Sequence, residues 1–165
     1  MSNEPIYHVM DIIRGTTVDG PGFRTSIYLA GCTHGCPGCH NPQSHSFDAG
    51  QPMTLGEIID IVREEEFNVT LSGGDPLCSP KATATLAAEI RKLGLSVWLY
   101  TGYTWEDIIE SDLLREAVAD VDVVVEGPFI QALRDTDLLF RGSSNQRIVD
   151  VKASLASGKT VLFAS

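Results

Sequence analysis

Short apolar runs alternate with segments of helical periodicity along most of the 165-residue chain. Near-continuous runs of β-branched and other apolar residues predict buried strands, because a strand covered on both faces has no polar side. Such runs occur at residues 24–31, 67–74, 95–102, 120–127, 146–151 and 159–164. Each of the first four runs ends in glycine, which is typical of a strand that enters a loop.

Helices are predicted between these strands from their start signals and apolar stripes. Thr54 and Glu57 fit a capping box, and the stripe that follows contains Ile58, Ile61 and Val62. Similar signals predict a helix after the second strand and another after the third.

Buried strands that alternate with amphipathic helices predict a mostly parallel sheet covered by helices. The strands are too few for a closed eight-stranded barrel, and right-handed crossovers would curl the sheet. We therefore expect an α/β fold, an open partial β/α barrel, in a single domain spanning residues 1–165. Sites in such folds lie at the carboxyl ends of the strands, so the loops after the first three strands should converge on one rim.

The composition of the chain disfavours two classes of partner, nucleic acids and membranes. The formal net charge is −10 and the sequence pI is about 4.7, so the surface should repel nucleic acid. The start of the chain, MSNEPIYH, lacks the features of a secretory signal, and no apolar stretch approaches the roughly 18 residues of a membrane span. We expect a cytoplasmic protein without a membrane partner, whose thiols stay reduced.

The segment GCTHGCPGCHNP (31–42) carries the strongest chemical signal. Cys32, Cys36 and Cys39 have the spacing C-x3-C-x2-C on a predicted loop, where three thiols cannot all be core side chains. Three thiolates could hold three irons of a cubane iron–sulfur cluster and leave the fourth iron open. The alternative is a structural zinc site, whose fourth ligand would be His34, His40 or Cys78. No second cysteine pair follows, which disfavours zinc without excluding it.

Several segments resemble one known family. The cysteine spacing after a first strand resembles the signature of radical S-adenosylmethionine enzymes, and TLSGGDP resembles their glycine-rich segment. VDGPGFR resembles activases that install glycyl radicals, while YTGYTWE, EGPF and FRGSSNQRIVDV resemble the activating proteins of anaerobic ribonucleoside-triphosphate reductases. One departure is Gly38, which stands where many radical enzymes carry an aromatic residue, so His40 is the candidate for stacking on the adenine.

The resemblance implies a 4Fe-4S cluster on Cys32, Cys36 and Cys39, with no catalytic residues beyond these ligands. It also implies S-adenosyl-L-methionine as a cofactor. Its predicted binding residues are His40, Ser72, Gly73, Gly74, Asp75 and Thr101. In the family, an electron from the cluster cleaves the sulfonium, and the resulting radical takes a hydrogen atom from a glycine of the partner. The implied partners are the glycyl-radical subunit of an anaerobic ribonucleoside-triphosphate reductase and an electron donor such as a flavodoxin or ferredoxin.

Two alternatives stay open from the sequence: an activase of another glycyl-radical enzyme, of the formate-lyase type, and a non-catalytic zinc-binding module. Further expectations are weaker. Asp19, Gly20 and Arg24 should lie near the cysteine loop, and Cys78 should be a packed thiol rather than a ligand. The segment RGSSNQR should either face the partner's glycine loop or fasten the end of the chain.

Overall fold

A computed structural model describes residues 5–34 and 46–164 of the chain. Within them lie seven strands and five α-helices. The strands are β1 (Ile6–Thr16), β2 (Arg24–Leu29), β3 (Gln51–Thr54), β4 (Asn68–Gly73), β5 (Val97–Tyr100), β6 (Val123–Glu126) and β7 (Arg147–Asp150). The helices are α1 (Leu55–Glu65), α2 (Pro80–Lys92), α3 (Trp105–Glu110), α4 (Asp112–Ala117) and α5 (Val151–Ser157).

The described strands form one open sheet in the order β3-β1-β2-β4-β5-β6-β7. Its centre, β2-β4-β5-β6, is parallel, and each connection between these strands contains a helix. Antiparallel partners flank this centre: β1 and β3 beyond β2, and β7 beyond β6. The predicted open α/β sheet is confirmed, and the parallel strands that carry the predicted loops lie at its middle.

Three strand assignments differ from the prediction. The sequence reading missed β1 and β3, because exposed and half-buried positions interrupt β1 and β3 has no buried residue. The predicted last strand at 159–164 is wrong. This segment follows Gly158, whose φ of 71° ends α5, and it meets β7 only through the isolated bridge between Val149 and Leu162.

Helix starts match the sequence signals closely. Thr54 caps α1 through the predicted box with Glu57, and Thr104 caps α3 in the same way with Asp107. The buried stripe of α1 differs in one position: Ile59 is buried in place of Ile61. No described helix combines the length and the apolarity that a bilayer crossing demands.

The two faces of the parallel centre differ. On the outer face, residues such as Ile27, Leu71 and Leu99 are fully buried against the helices and form the main core. On the inner face, the alternate residues of the same strands are polar or aromatic. They include Arg24, Tyr28, Thr70, Ser72, Trp98 and Tyr100. The inner face therefore forms the wall of a partial barrel, open at the carboxyl ends of its strands.

Candidate cofactor-binding cleft

A cleft of about 770 Å³ opens at the carboxyl ends of the parallel strands. Its size is within the range of about 300–1,000 Å³ that is usual for small-molecule sites. Five predicted site residues line it: Cys32 after β2, Ser72, Gly73 and Gly74 at the end of β4, and Thr101 after β5. The expected convergence of these loops on one rim is confirmed.

Three predicted residues, Cys36, Cys39 and His40, lie outside the described residues, so their roles stay predictions. Cys32 is a half-buried thiol on the wall of the cleft. A thiol at this position is a suitable ligand for a soft metal centre.

The glycine-rich loop is fastened to the start of the cysteine loop by backbone hydrogen bonds. The Gly74 amide donates to the Leu29 carbonyl at 2.7 Å, and the Asp75 amide donates to the Gly31 carbonyl at 2.8 Å. Gly73 has a φ of 110°, and a Cβ there would lie 2.2 Å from the Leu29 carbonyl oxygen. Both glycines border the cleft, and the neighbouring strand additionally requires glycine at position 73.

Asp75 lies beneath the cleft, and its residue exposure is only 2%. Its Oδ2 accepts hydrogen bonds from the Thr101 hydroxyl at 2.9 Å and the Gly102 amide at 2.8 Å, and contacts His34 Nε2 at 2.5 Å. Its Oδ1 accepts from the Leu77 amide at 2.9 Å. Both carboxylate oxygens are thus engaged by the protein itself.

His34 connects this carboxylate to a second group. Its ring meets Tyr103 edge-on at 4.6 Å between centroids. The hydrogen bond with Asp75, together with one to Cys78, raises the pKa of His34 to about 10. Burial opposes ionisation of the Cys78 thiol, but hydrogen bonds from His34 and Thr33 outweigh it and lower its pKa. Cys78 is half-buried beside the cysteine loop rather than packed in the core.

The inner wall of the cleft is aromatic and acidic. The Tyr28 hydroxyl donates to the Asp19 carboxylate, and burial together with this bond raises the pKa of Tyr28. Burial also raises the pKa of Tyr100, whose hydroxyl has no hydrogen-bond partner among the described residues. Asp11 and Asp19 also line the cleft. Among its described lining residues, Arg141 is the one Arg or Lys side chain.

Arg24 does not lie near the cysteine loop, contrary to expectation. It begins β2, so the length of the strand separates it from the loop by roughly 16 Å. Its guanidinium donates to the Thr70 hydroxyl and the Val69 carbonyl and lies over Trp98, and burial lowers its pKa to about 10. Arg24 closes the amino end of the inner face, while Asp19 does reach the cleft.

The segment RGSSNQR (141–147) is fastened to the loop after β6. Gln146 accepts from the Gly142 amide at 2.9 Å and donates to the Gly127 carbonyl at 2.9 Å. Asn145 donates to the Pro128 carbonyl at 2.8 Å, which ties the same segment to the loop after β6. Arg141 and Gln146 also line the cleft, so the segment builds part of its wall.

Comparison with known proteins identifies the family. Residues 18–149 match the 4Fe-4S single cluster domain family. An anaerobic ribonucleoside-triphosphate reductase-activating protein from Salmonella typhi is 34% identical over 85% of this chain and 93% of its own length. The chain belongs to this family of activating proteins. Proteins of the same name from Escherichia coli K12 and Enterobacteria phage T4 are 33% and 32% identical, over 85% and 79% of this chain.

A solved structure agrees with the fold. QueE from Escherichia coli superposes with a TM-score of 0.51 at 16% sequence identity, covering 60% of this chain. The matched region spans 54% of QueE, about half of its length. This likeness concerns the fold alone.

The family match makes the chain an iron–sulfur protein. The resemblance to activating proteins that the sequence motifs indicated is confirmed. Of the described residues, Cys32 presents a thiol to the cleft, beside the glycine loop.

Sequence reasoning gave no role to Tyr28 and Tyr100 and considered His34 only as a zinc ligand. A signal was available for the tyrosines, because both occupy inner-face positions of strands whose alternate residues are apolar. His34 carried no such signal, since its partner Asp75 is 41 residues away and becomes its neighbour only when the sheet forms.

Proposed function

We propose that this protein is a radical S-adenosylmethionine activase that generates the glycyl radical on an anaerobic ribonucleoside-triphosphate reductase. The observation that carries the proposal is the single cleft in which Cys32, the glycine-rich loop and Thr101 meet. Membership of the activating-protein family supports the choice of partner.

In this proposal, Cys32 holds the 4Fe-4S cluster together with Cys36 and Cys39. When bound, the reduced cluster and S-adenosylmethionine supply the radical that removes a hydrogen atom from a glycine Cα of the partner. Backbone groups of Gly73 and Gly74 bind the amino acid end of the ligand, which a side chain at position 74 would obstruct.

The wall of the cleft offers acidic groups to a cationic ligand. S-adenosylmethionine carries a sulfonium, and the carboxylates of Asp11 and Asp19 on the cleft wall would attract it, while Arg141 and His34 on the same wall are cationic. Tyr28 and Tyr100 cover the floor with aromatic surface, which limits the water that could quench a reactive species.

The target is a protein backbone, so a partner segment must reach the bound ligand. Ile13 and Val18 line the cleft and are also exposed, so the entrance offers apolar surface to such a segment. Ordering an extended segment costs roughly 1–2 kcal/mol per residue in backbone entropy. A wider docking contact with the reductase must offset that cost.

The proposal is tested by mixing the anaerobically reduced protein with S-adenosylmethionine and its cognate reductase. Electron paramagnetic resonance should then show a glycyl radical doublet on the reductase. The doublet should be absent when the target glycine of the reductase is changed to alanine. Radical formation on a formate lyase and never on the reductase would overturn the partner while leaving the radical chemistry.

A further inference from the structure

We propose that Asp75 is a positioning residue that holds the cysteine loop through His34, rather than a contact to S-adenosylmethionine. This inference rests on the proposed function, because it assumes that Cys32, Cys36 and Cys39 hold the cluster. It assigns Asp75 and His34 a role in retaining the cluster.

The carboxylate of Asp75 has little capacity left for a ligand. Its side chain is 1% exposed, and four donors from three loops already surround it. Asp75 is also absent from the lining of the cleft, although Gly73 and Gly74 of the same loop are part of it. A buried carboxylate in this arrangement acts on the protein groups that it binds.

The position of His34 makes it an anchor for the cysteine loop. It lies two residues after Cys32 and two before Cys36 in the sequence. A hydrogen bond to its ring therefore restrains the described start of the cysteine loop, two residues from Cys32. The Asp75 amide adds a second restraint through the Gly31 carbonyl, immediately before Cys32.

The loop after β5 is shaped to receive the His34 ring. A Cβ at Gly102 would lie 2.8 Å from His34 Cδ2, so a larger residue would displace the ring. Tyr103 supports the ring from another side, and Thr101 and Gly102 donate to the same Asp75 oxygen that His34 contacts. One buried carboxylate thereby joins the loops that follow β2, β4 and β5.

A consequence follows for the cluster. Partners that orient metal ligands from outside typically change metal affinity about 10–100-fold when they are removed. Asp75 meets this description because it does not line the cleft, and it holds the described start of the cysteine loop through the ring of His34, which does line it. Loss of the pair should loosen the cluster before it affects the binding of S-adenosylmethionine.

The test measures the rate at which reconstituted protein releases iron to an anaerobic chelator. Asp75→Asn keeps the shape of the side chain, but its amide NH2 group would face hydrogen-bond donors instead of accepting from them. The hold on His34 should weaken, so iron release should accelerate about tenfold or more. The matched control is Asp122→Asn, which removes a half-buried carboxylate that accepts from Arg91 and from the Val97 amide at the amino end of β5. The control should release iron at the wild-type rate.

A second pair of variants tests His34 independently of the stability of Asp75 variants. His34→Gln retains a donor near the position of Nε2 and should keep iron release within a few-fold of wild type. His34→Leu has no donor and should release iron as fast as Asp75→Asn.

The outcomes separate this inference from the proposed function. Wild-type iron release in Asp75→Asn, combined with a raised KM for S-adenosylmethionine, would overturn the inference and make Asp75 a ligand contact. Equal release rates in His34→Gln and His34→Leu would also overturn it. Failure of the wild-type protein to hold a cluster would instead defeat the proposed function.

Discussion

The outer and inner faces of the parallel sheet carry alternate residues of the same strands, yet their side chains meet different surroundings. In β4, Leu71 is fully buried in the main core, whereas its neighbour Ser72 lines the cleft. In β5, Leu99 packs in the core while Tyr100 covers the cleft floor. The difference separates what holds the fold together from what gives it chemistry.

The two faces should therefore tolerate substitution differently. On the outer face, the requirement is apolar volume, and a hydrophobic substitute of similar size usually costs less than about 1.5 kcal/mol. On the inner face and its rim, the requirement is a particular atom at a particular place. Apart from Gly73, whose backbone is crowded by Leu29, substitutions of cleft-lining residues should alter binding more than they alter the fold.

The largest expected effect comes from the rim. Cys32→Ala should abolish the cluster, because one of three proposed thiolate ligands is removed, while the fold remains. Cys78→Ala is the matched control and should keep the cluster. Iron content and the visible spectrum of anaerobic protein measure both. Loss of the cluster in the Cys78 variant alone would contradict the assignment.

The next effect is on stability, and it contrasts two adjacent residues. Leu71→Ala should lower the free energy of unfolding by about 2–5 kcal/mol, because it leaves a cavity in the core. Ser72→Ala should change it by less than about 1 kcal/mol. Urea denaturation measures both values. Similar losses for the two variants would show that the faces do not differ as described.

Two neighbouring glycines should show the same contrast between an effect on stability and an effect on binding. Gly73→Ala should destabilise the protein, because its Cβ would meet the Leu29 backbone and its φ is positive. Gly74→Ala should leave thermal unfolding nearly unchanged but block cleavage of S-adenosylmethionine with dithionite as reductant. If the Gly74 variant cleaved S-adenosylmethionine at the normal rate, the loop would be only a structural turn without a binding role.

The smallest effect concerns a polar exception on the outer face. Glu126 is 1% exposed and pairs with Arg147, which also binds Glu106 at the surface. The hydrogen bond from Arg147 lowers the pKa of Glu106. A carboxyl group whose pKa is lowered in the folded protein stabilises the fold at any pH above the ordinary pKa of that group. This contribution to stability is lost as pH falls through the lowered pKa.

Glu106→Gln should therefore lower the free energy of unfolding near neutral pH by less than about 1 kcal/mol, since the pair is exposed. The difference in the free energy of unfolding between this variant and the wild type should disappear as pH falls from about 6 to about 3. Urea midpoints across this range measure it. A gap that widens toward acid would contradict the assigned sign.

The outer face could be predicted from the sequence because its signals are local. The capping pairs at Thr54 and Thr104 and the apolar strand runs depend on neighbours in the chain. The prediction failed where pairing decides the structure. The tail after Gly158 has the composition of a strand, yet it makes only one isolated bridge with β7.

In the candidate site, too, local features were predictable from the sequence and contacts between distant segments were not. Cys32 and the glycine loop were recognisable because their spacing and resemblance lie in short segments. A second constraint on Gly73 was not visible in the sequence, since a Cβ there would meet the backbone of Leu29 in the neighbouring strand. The contact between His34 and Asp75 joins two loops and exists only after the sheet has formed.

The most direct test of the account is the electron paramagnetic resonance spectrum of the reduced protein with and without S-adenosylmethionine. The account predicts one reduced 4Fe-4S cluster per chain, whose spectrum changes when the ligand binds beside Cys32 and the glycine loop. Gly74→Ala should show the same iron content and no such change. A wild-type spectrum that stays unchanged at saturating S-adenosylmethionine would contradict the claim that cluster and ligand meet in this cleft.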